Sequence, residues 1–199
     1  MPIAKVHRIS ASAPDDISGI DAAIKSGRID PKGVIAILGK TEGNGLVNDF
    51  SRGYATATLT GLFERHLPKV EAAKICYVMS GGTEGGMAPH WVVFERGTGA
   101  GGKSPALAIG RAHTPPLPFE HLGRVQQIEQ VAASVRAAMQ DANITDPVDV
   151  HFVQIKCPLL NAQRIADADA RHRMVATRDT LKSMGLSRAA SALGAAVAL

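Results

Sequence analysis

Aromatic residues are scarce in this chain, with phenylalanine, tyrosine and tryptophan together making up 4% of its 199 residues. So few rings do not build the stacking platforms on which single-stranded nucleic acids are held. The formal net charge is +4, but the lysines and arginines are scattered along the sequence, so no basic footprint for a nucleic acid forms. Cysteine is equally rare. Cys76 and Cys157 are the only two, which is no disulfide framework, and a reducing, cytoplasmic setting is the default expectation. Residues 1–14 lack the apolar centre of a signal peptide. No apolar run approaches the roughly 20 residues that span a bilayer. Low-complexity tracts are absent too. With 45% hydrophobic and 20% charged residues, the composition is that of a folded chain with enough apolar content for one domain or two small ones.

What the sequence does contain is a phrase used twice. The first copy is the apolar run Val34 to Leu38 followed by Gly39 and Lys40, then Ser51-Arg52 opening an Ala/Thr/Leu-rich stretch, then Ile75 to Met79 delivering Ser80 into Gly81 and Gly82. The second is Val150 to Ile155 followed by Lys156, then Ser187-Arg188 before another Ala/Leu-rich stretch. In the first copy Ser80 follows Arg52 by 28 residues, so a matching serine in the second is expected at about position 216 or later, beyond Leu199. Internal repetition of this kind points to an architecture of tandem units.

Alternation of short β-branched runs with helical patterns gives an α/β class. Strands are expected at Val34–Leu38, Lys74–Met79, Trp91–Phe94, Ala106–Ile109 and Val150–Ile155. A helix over Arg52–Leu67 carries Ala55, Leu59, Leu62 and Phe63 on one face. Another over Glu120–Ala142 carries Leu122, Val125, Ile128, Val131 or Ala132, Val135 and Met139, and Asn161 is placed to cap a helix through Ala170. Ser187-Arg188 reads as a helix start. The glycine-rich stretch Arg96–Ser104 is expected to be a loop near a boundary, dividing the chain into units 1–105 and 106–199.

Several residues in this frame carry chemistry. Lys40 in Gly39-Lys40-Thr41-Glu42-Gly43-Asn44-Gly45 suggests a phosphate loop, but that motif needs a glycine at position 34, which is valine. A nucleotide site is therefore rejected, and a strand-end turn and a site lysine stay equally open. Ser80 in its glycine run can donate a hydrogen bond or attack, and Gly81 lets a backbone N–H approach an anionic oxygen. The spacing is not that of a nucleophile elbow, because Val78 stands where its first glycine belongs. His90, beside Pro89, reads as structural, and Cys157 as packing. Lys156 ends a very apolar run, where a core rim disfavours the charged form and favours a base; the alternative is a lysine that snorkels outward. Arg52 and Arg188 each follow a serine at an expected helix start, where the positive helix end resists a cation. Matched arginines, each with a matched lysine upstream, argue for a site that uses both.

Four segments in order, Gly39–Gly45, Met79–Gly86 with Pro89-His90, Val153–Leu160 and Ser183–Arg188, together resemble the ring-opening amidohydrolases, the family of cyanuric acid hydrolases and barbiturases. The likeness runs from end to end and is nearer to the former. It implies three structural repeats about a pseudo-threefold axis, of which this chain holds one complete and one partial copy. Each repeat of that family supplies a lysine, an arginine and a serine to one central site. The resemblance assigns Lys156 as the catalytic base for a second-repeat serine that attacks a ring carbonyl. It assigns Arg52, Ser80, Gly81 and Arg188 to the ring oxygens, with Lys40 in support.

The implied reaction opens a cyclic ureide, cyanuric acid to carboxybiuret in s-triazine degradation, with barbiturate hydrolysis or a non-catalytic binding or structural module as alternatives. No cofactor is required for catalysis, and no metal ligand is assigned within this chain; the resemblance leaves room for a structural metal in a third repeat. The partner is a small-molecule ureide rather than a nucleic acid or membrane, and the family forms homo-oligomers, namely homotetramers. Leu199 falls inside an uncapped apolar run, Ala195 to Leu199. We therefore expect a partial chain that by itself does not turn over substrate.

Overall fold

The computed structural model describes residues 2–82, 86–98 and 107–199. The chain forms two compact units, Met1–Ile109 and Gly110–Leu199. The boundary expected between 105 and 106 falls in a stretch outside the described residues.

The first unit is a four-stranded mixed sheet with helices against one face. Its elements are β1 (Pro2–Ser10), α1 (Ser18–Lys25), β2 (Val34–Lys40), α2 (Ser51–Phe63), the single turn α3 (Lys69–Ala72), β3 (Cys76–Ser80) and β4 (His90–Thr98). The strand order is β1-β4-β2-β3. β2 runs parallel to β3 and antiparallel to β4, which pairs antiparallel with β1.

Alternation along the strands divides the sheet faces. Ile37, Met79, Trp91 and Val93 turn to the core, where they join Ile20 and Ile29 and the α2 residues Ala55, Leu59, Leu62 and Phe63 in one cluster. The expected buried face of α2 is the observed one. Lys40 and Ser80 belong to the opposite set of positions, one step out of phase with Gly39 and Met79. β4 extends to Thr98, so the loop expected from Arg96 starts later. β1 and α1 had no counterpart in the strand and helix pattern read from the sequence.

The second unit contains α4 (Val125–Asp141), α5 (Ala162–Ala170) and α6 (Thr180–Ala198). Asn161 caps α5, accepting from the Arg164 N–H at 3.0 Å. On α4 the buried side is Gln127, Val131, Ala132 and Val135, while the expected Val125 is exposed. Gln127 organises the α4–α6 seam: its Nε2 donates to Ser187 Oγ at 2.9 Å and Ser191 Oγ at 3.1 Å, and its Oε1 accepts from the Gly123 N–H at 2.7 Å. A small-residue stripe on α6 brings the two helices close enough that a Cβ on Gly194 would lie 2.7 Å from the Ile128 carbonyl oxygen.

Three expectations fail here. No strand forms at Val150–Ile155, nor over 107–109 at the end of the first unit, although the Leu107 carbonyl accepts from the Ala4 N–H at 2.9 Å; Ala106, the expected start of that strand, lies outside the described residues. A strand exists through the ladder it shares with a neighbour, and for Val150–Ile155 the described residues of the second unit offer no such neighbour. Ser187-Arg188 does not open a helix either. Asp179 caps α6 at Thr180 by accepting from the Lys182 N–H at 3.0 Å, which places Arg188 in mid-helix.

A local conformation nevertheless recurs at constant spacing. In α1 the Arg28 N–H bonds the Ala23 carbonyl at 2.9 Å, around Gly27 at φ +73°. In α4 the Ile144 N–H bonds the Met139 carbonyl at 2.8 Å, around Asn143 at φ 57°. Asp30 and Asp146 then each cap a short 3₁₀ turn that begins at proline, Pro31 or Pro147. Val34 and Val150 follow, then Lys40 and Lys156. Each member of the second series lies 116 residues after its counterpart in the first.

Candidate active site

In the first unit the parallel register sets the geometry. Lys40 and Ser80 are directly opposed at the C-terminal ends of β2 and β3, the end of parallel strands where ligands bind in α/β sheets. Lys40 Nζ lies 3.1 Å from Ser80 Oγ and also donates to the Gly82 carbonyl. This distance serves two states. A charged lysine donates to the serine oxygen; a neutral one can take the serine proton. On the other side of Lys40, His90 is its partner in β4. His90 Nδ1 lies 2.7 Å from the Ala88 carbonyl; a carbonyl only accepts, so Nδ1 carries a proton and the ring closes the strand start.

The loop from β2 to α2 is built around Asp49, a residue that the sequence reading passed over. Its side chain is 1% exposed. Oδ2 accepts from the Gly45 N–H at 2.8 Å and Oδ1 from the Ser51 N–H at 2.9 Å and the Ser51 hydroxyl at 2.5 Å. The Ser51 hydroxyl proton is thus committed to Asp49, so in its 2.7 Å contact with buried Thr41 the Thr41 hydroxyl donates. The Thr41 N–H in turn bonds the Ser80 carbonyl at 3.0 Å. Burial pushes the Asp49 carboxyl up, but the Ser51 hydroxyl, the Gly45 and Ser51 N–H groups and the Arg52 charge together hold it below the usual carboxylate value.

Arg52 stands one place into α2, as expected, and Asp49 answers the objection that a cation is disfavoured there. Its Nε lies 3.6 Å from Asp49 Oδ2, and Nη2 donates to the Leu46 carbonyl. Gly81 must be glycine: a Cβ there would sit 1.5 Å from Asp49 Oδ2. Lys40, Ser80, Gly81 and Arg52 are thereby gathered on one loop system, with Asp49 and Thr41 as its fasteners. The Asp49-x-Ser51 spacing ahead of α2 is the pattern of an Asx turn, and that signal could have found Asp49. Residues 83–85 of the glycine run lie outside the described residues.

In the second unit Lys156 and Arg188 occupy separate elements. Lys156 is exposed on the irregular segment 150–160, where His151, Phe152 and Gln154 are exposed as well. The expected strand end at a core rim is therefore not formed, for the lack of a ladder noted above. Arg188 is exposed on the ninth residue of α6, beside Ser187, whose buried hydroxyl holds Gln127. Cys157 is half-buried and Cys76 lies in β3, and neither forms a disulfide. Among the described residues no helix is long and apolar enough to cross a membrane.

Comparison with known proteins follows the same outline. A family model described as "Amidohydrolase ring-opening protein" matches residues 5–199. A cyanuric acid amidohydrolase of Azorhizobium caulinodans is 64% identical over 200 residues, covering 100% of this chain and 56% of that protein. One from Bradyrhizobium sp. (strain ORS 375) is 58% identical over 201 residues, covering 98% of this chain and 54% of its own length. A crystal structure of the A. caulinodans hydrolase superposes with a TM-score of 0.93, covering 100% of this chain and 55% of that one. A second cyanuric acid hydrolase structure, 46% identical, also gives 0.93 and is covered to 56%. The chain thus spans a little over half the length of the relatives it matches.

Proposed function

The chain belongs to the ring-opening amidohydrolase family, and from that premise we propose that the whole protein opens cyanuric acid by serine–lysine chemistry. The observation that carries the reading is the opposed Lys40–Ser80 pair at 3.1 Å. It supports a repeat unit in which the end of one strand presents a lysine to a serine on the next. Lys156 lies 116 residues after Lys40, behind the same Asp-Pro turn, and we assign it as the general base.

In this mechanism neutral Lys156 takes the proton of its serine as the oxygen attacks a ring carbonyl. The carbonyl electrons move to oxygen, where backbone N–H groups and guanidinium donors stabilise the charge. The electron pair then returns, the ring C–N bond breaks, and the lysine ammonium returns the proton to the leaving nitrogen. Water cleaves the resulting acyl-serine, so the net reaction consumes one water and gives carboxybiuret. Arg52, Ser80, Gly81 and Arg188 hold the ring oxygens. Cyanuric acid is itself threefold symmetric, so similar donor sets suit its three equivalent carbonyls. A homo-oligomer is the assembly expected of the whole protein.

The test is direct assay of the whole protein on cyanuric acid and barbiturate, with the opened product identified by mass spectrometry. Turnover of cyanuric acid is expected. Preferential opening of barbiturate would reassign the substrate, and inertness to both would remove the hydrolase reading. The 199 residues by themselves, about 55% of the relatives' length, are expected to be silent in the same assay.

A further inference from the structure

We infer that Asp49 is a positioning residue for substrate binding: its buried carboxylate aims the Arg52 guanidinium and seats the Ser80–Gly81 backbone beside it. This inference rests on the function proposed above for the residues it positions.

Three observations carry it. Asp49 is an almost wholly buried carboxylate whose two oxygens are shared between the loop and the arginine: Oδ1 takes both Ser51 donors, and Oδ2 takes the Gly45 N–H and faces Arg52 Nε. A charge so placed strengthens each of these bonds, because charge-assisted hydrogen bonds are about twice as strong as neutral ones. The same carboxylate touches glycines on both sides. A Cβ on Gly43 would lie 2.0 Å from Oδ1, and one on Gly81 would lie 1.5 Å from Oδ2. The strand-end serine and the α2 arginine are thus registered against one small rigid group. Finally, Thr41 links this group through Ser51 to the strand ends, since its hydroxyl donates to Ser51 and its N–H bonds the Ser80 carbonyl. A shift of Asp49 moves Arg52 and Gly81 together.

Asp49→Asn keeps the shape but replaces one oxygen with an NH₂, which in the place of Oδ2 repels both the Gly45 N–H and Arg52 Nε and in the place of Oδ1 repels the Ser51 N–H. In the whole protein we expect KM for cyanuric acid to rise about tenfold with kcat held within about threefold, as for loss of one charged hydrogen bond in the bound state. The decisive measurement is a double-mutant cycle with Arg52→Lys. If Asp49 acts through Arg52, the effect of Asp49→Asn on KM shrinks in the Arg52→Lys background to the part carried by the Ser80–Gly81 backbone; fully additive effects, or an unchanged KM in the single variant, overturn the inference. Asp49→Glu is not expected to rescue, since an added methylene has no room between Gly43 and Gly81.

Should Asp49→Asn not fold, Ser51→Ala, which removes the hydroxyl donor from Oδ1 while keeping the Ser51 N–H and the charge, carries the same cycle with the same two outcomes. Water exchange of the Arg52 Nε–H by NMR is read alongside, slow in the parent and fast in Asp49→Asn. That readout needs no turnover. A protein inert to every ureide but showing this exchange difference would sink the function and keep the positioning role, whereas equal exchange would sink the positioning role alone.

Discussion

Lys40 and Ser80 sit opposite each other on parallel strands, with Nζ 3.1 Å from Oγ. The pairing depends on register rather than on either residue alone. A one-residue slip of β3 against β2 would turn Met79 to the lysine and send the serine into the core face. The hydrophobic residues that fix this register, Ile37 and Met79 on the buried side, therefore also fix the chemistry at the strand ends.

The two lysines are expected to separate kinetically. In the whole protein Lys156→Ala should lower kcat by about 10² to 10⁴, the range for proton transfer by a placed side chain. Lys40→Ala, which strips a donor from Ser80 and the Gly82 carbonyl, should act mainly on KM. Steady-state kinetics of both variants decide the matter. Near-normal turnover by Lys156→Ala, or a larger kcat loss from Lys40→Ala, would exchange their roles.

Arg52→Lys and Arg188→Lys both keep the charge but discard the planar fork that suits a carbonyl oxygen. Each is expected to lower kcat/KM. Arg52→Lys carries an added penalty, because the Leu46 carbonyl and Asp49 are both arranged around a guanidinium. Unchanged kcat/KM for either variant would take that arginine off the substrate.

Much of this site was legible because its signals are local. Val34 to Leu38 and Lys74 to Met79 read as strands from their apolar runs, and Ala55, Leu59, Leu62 and Phe63 read as one helix face from their spacing. What stayed hidden depended on partners distant in sequence. β1 alternates Lys5 and His7 with partly polar neighbours, and it becomes legible only once Glu95 on β4 supplies the bonds at 3.0 Å and 2.9 Å. Ser187 looked like a helix start because serine favours that position, but Gln127 holds its hydroxyl inside a helix pair. Val150 to Ile155 has a strand composition without a ladder to join. Asp49 was missed because a lone aspartate before a helix usually means a cap, and its contacts with Gly43 and Gly81 exist only after folding.

Acid should weaken the second unit through a specific ion pair. Glu120 is gripped by Arg171, with Nη1 to Oε1 at 2.7 Å and Nη2 to Oε2 at 2.9 Å. Chiefly by that hydrogen bonding, its carboxyl is lowered from 4.5 to about 2. A depressed carboxylate stabilises the fold above its unfolded value and loses that contribution as pH falls through the folded one. The window is therefore about pH 4.5 down to about 2. Arg171 is 42% exposed, so solvent screening keeps the effect modest. Glu120→Gln should unfold at a lower denaturant concentration than the parent at pH 7, and the two curves should converge toward pH 2. A gap of equal size at both pH values would show that the pair is not the cause.

Two glycines of α6 should respond to alanine with opposite signs. Helix propensity alone favours alanine over glycine by about 1 kcal/mol at either position. At Gly185 nothing lies within 4 Å of the added Cβ, so Gly185→Ala is expected to stabilise by about 0.5–1 kcal/mol. At Gly194 the new Cβ would stand 2.6 Å from Val131 Cβ and 2.7 Å from the Ile128 carbonyl oxygen. Both lie on α4, and a backbone oxygen cannot turn aside as a side chain can. The helices must then move apart, which also stretches the Gln127 bonds to Ser187 and Ser191 at 2.9 and 3.1 Å. Overpacking of this kind costs about 1–3 kcal/mol, enough to outweigh the propensity gain. Gly194→Ala should therefore lower the unfolding midpoint while Gly185→Ala raises it, both read by chemical denaturation. A rise in both would mean that α4 and α6 are not packed as closely as their small-residue seam requires.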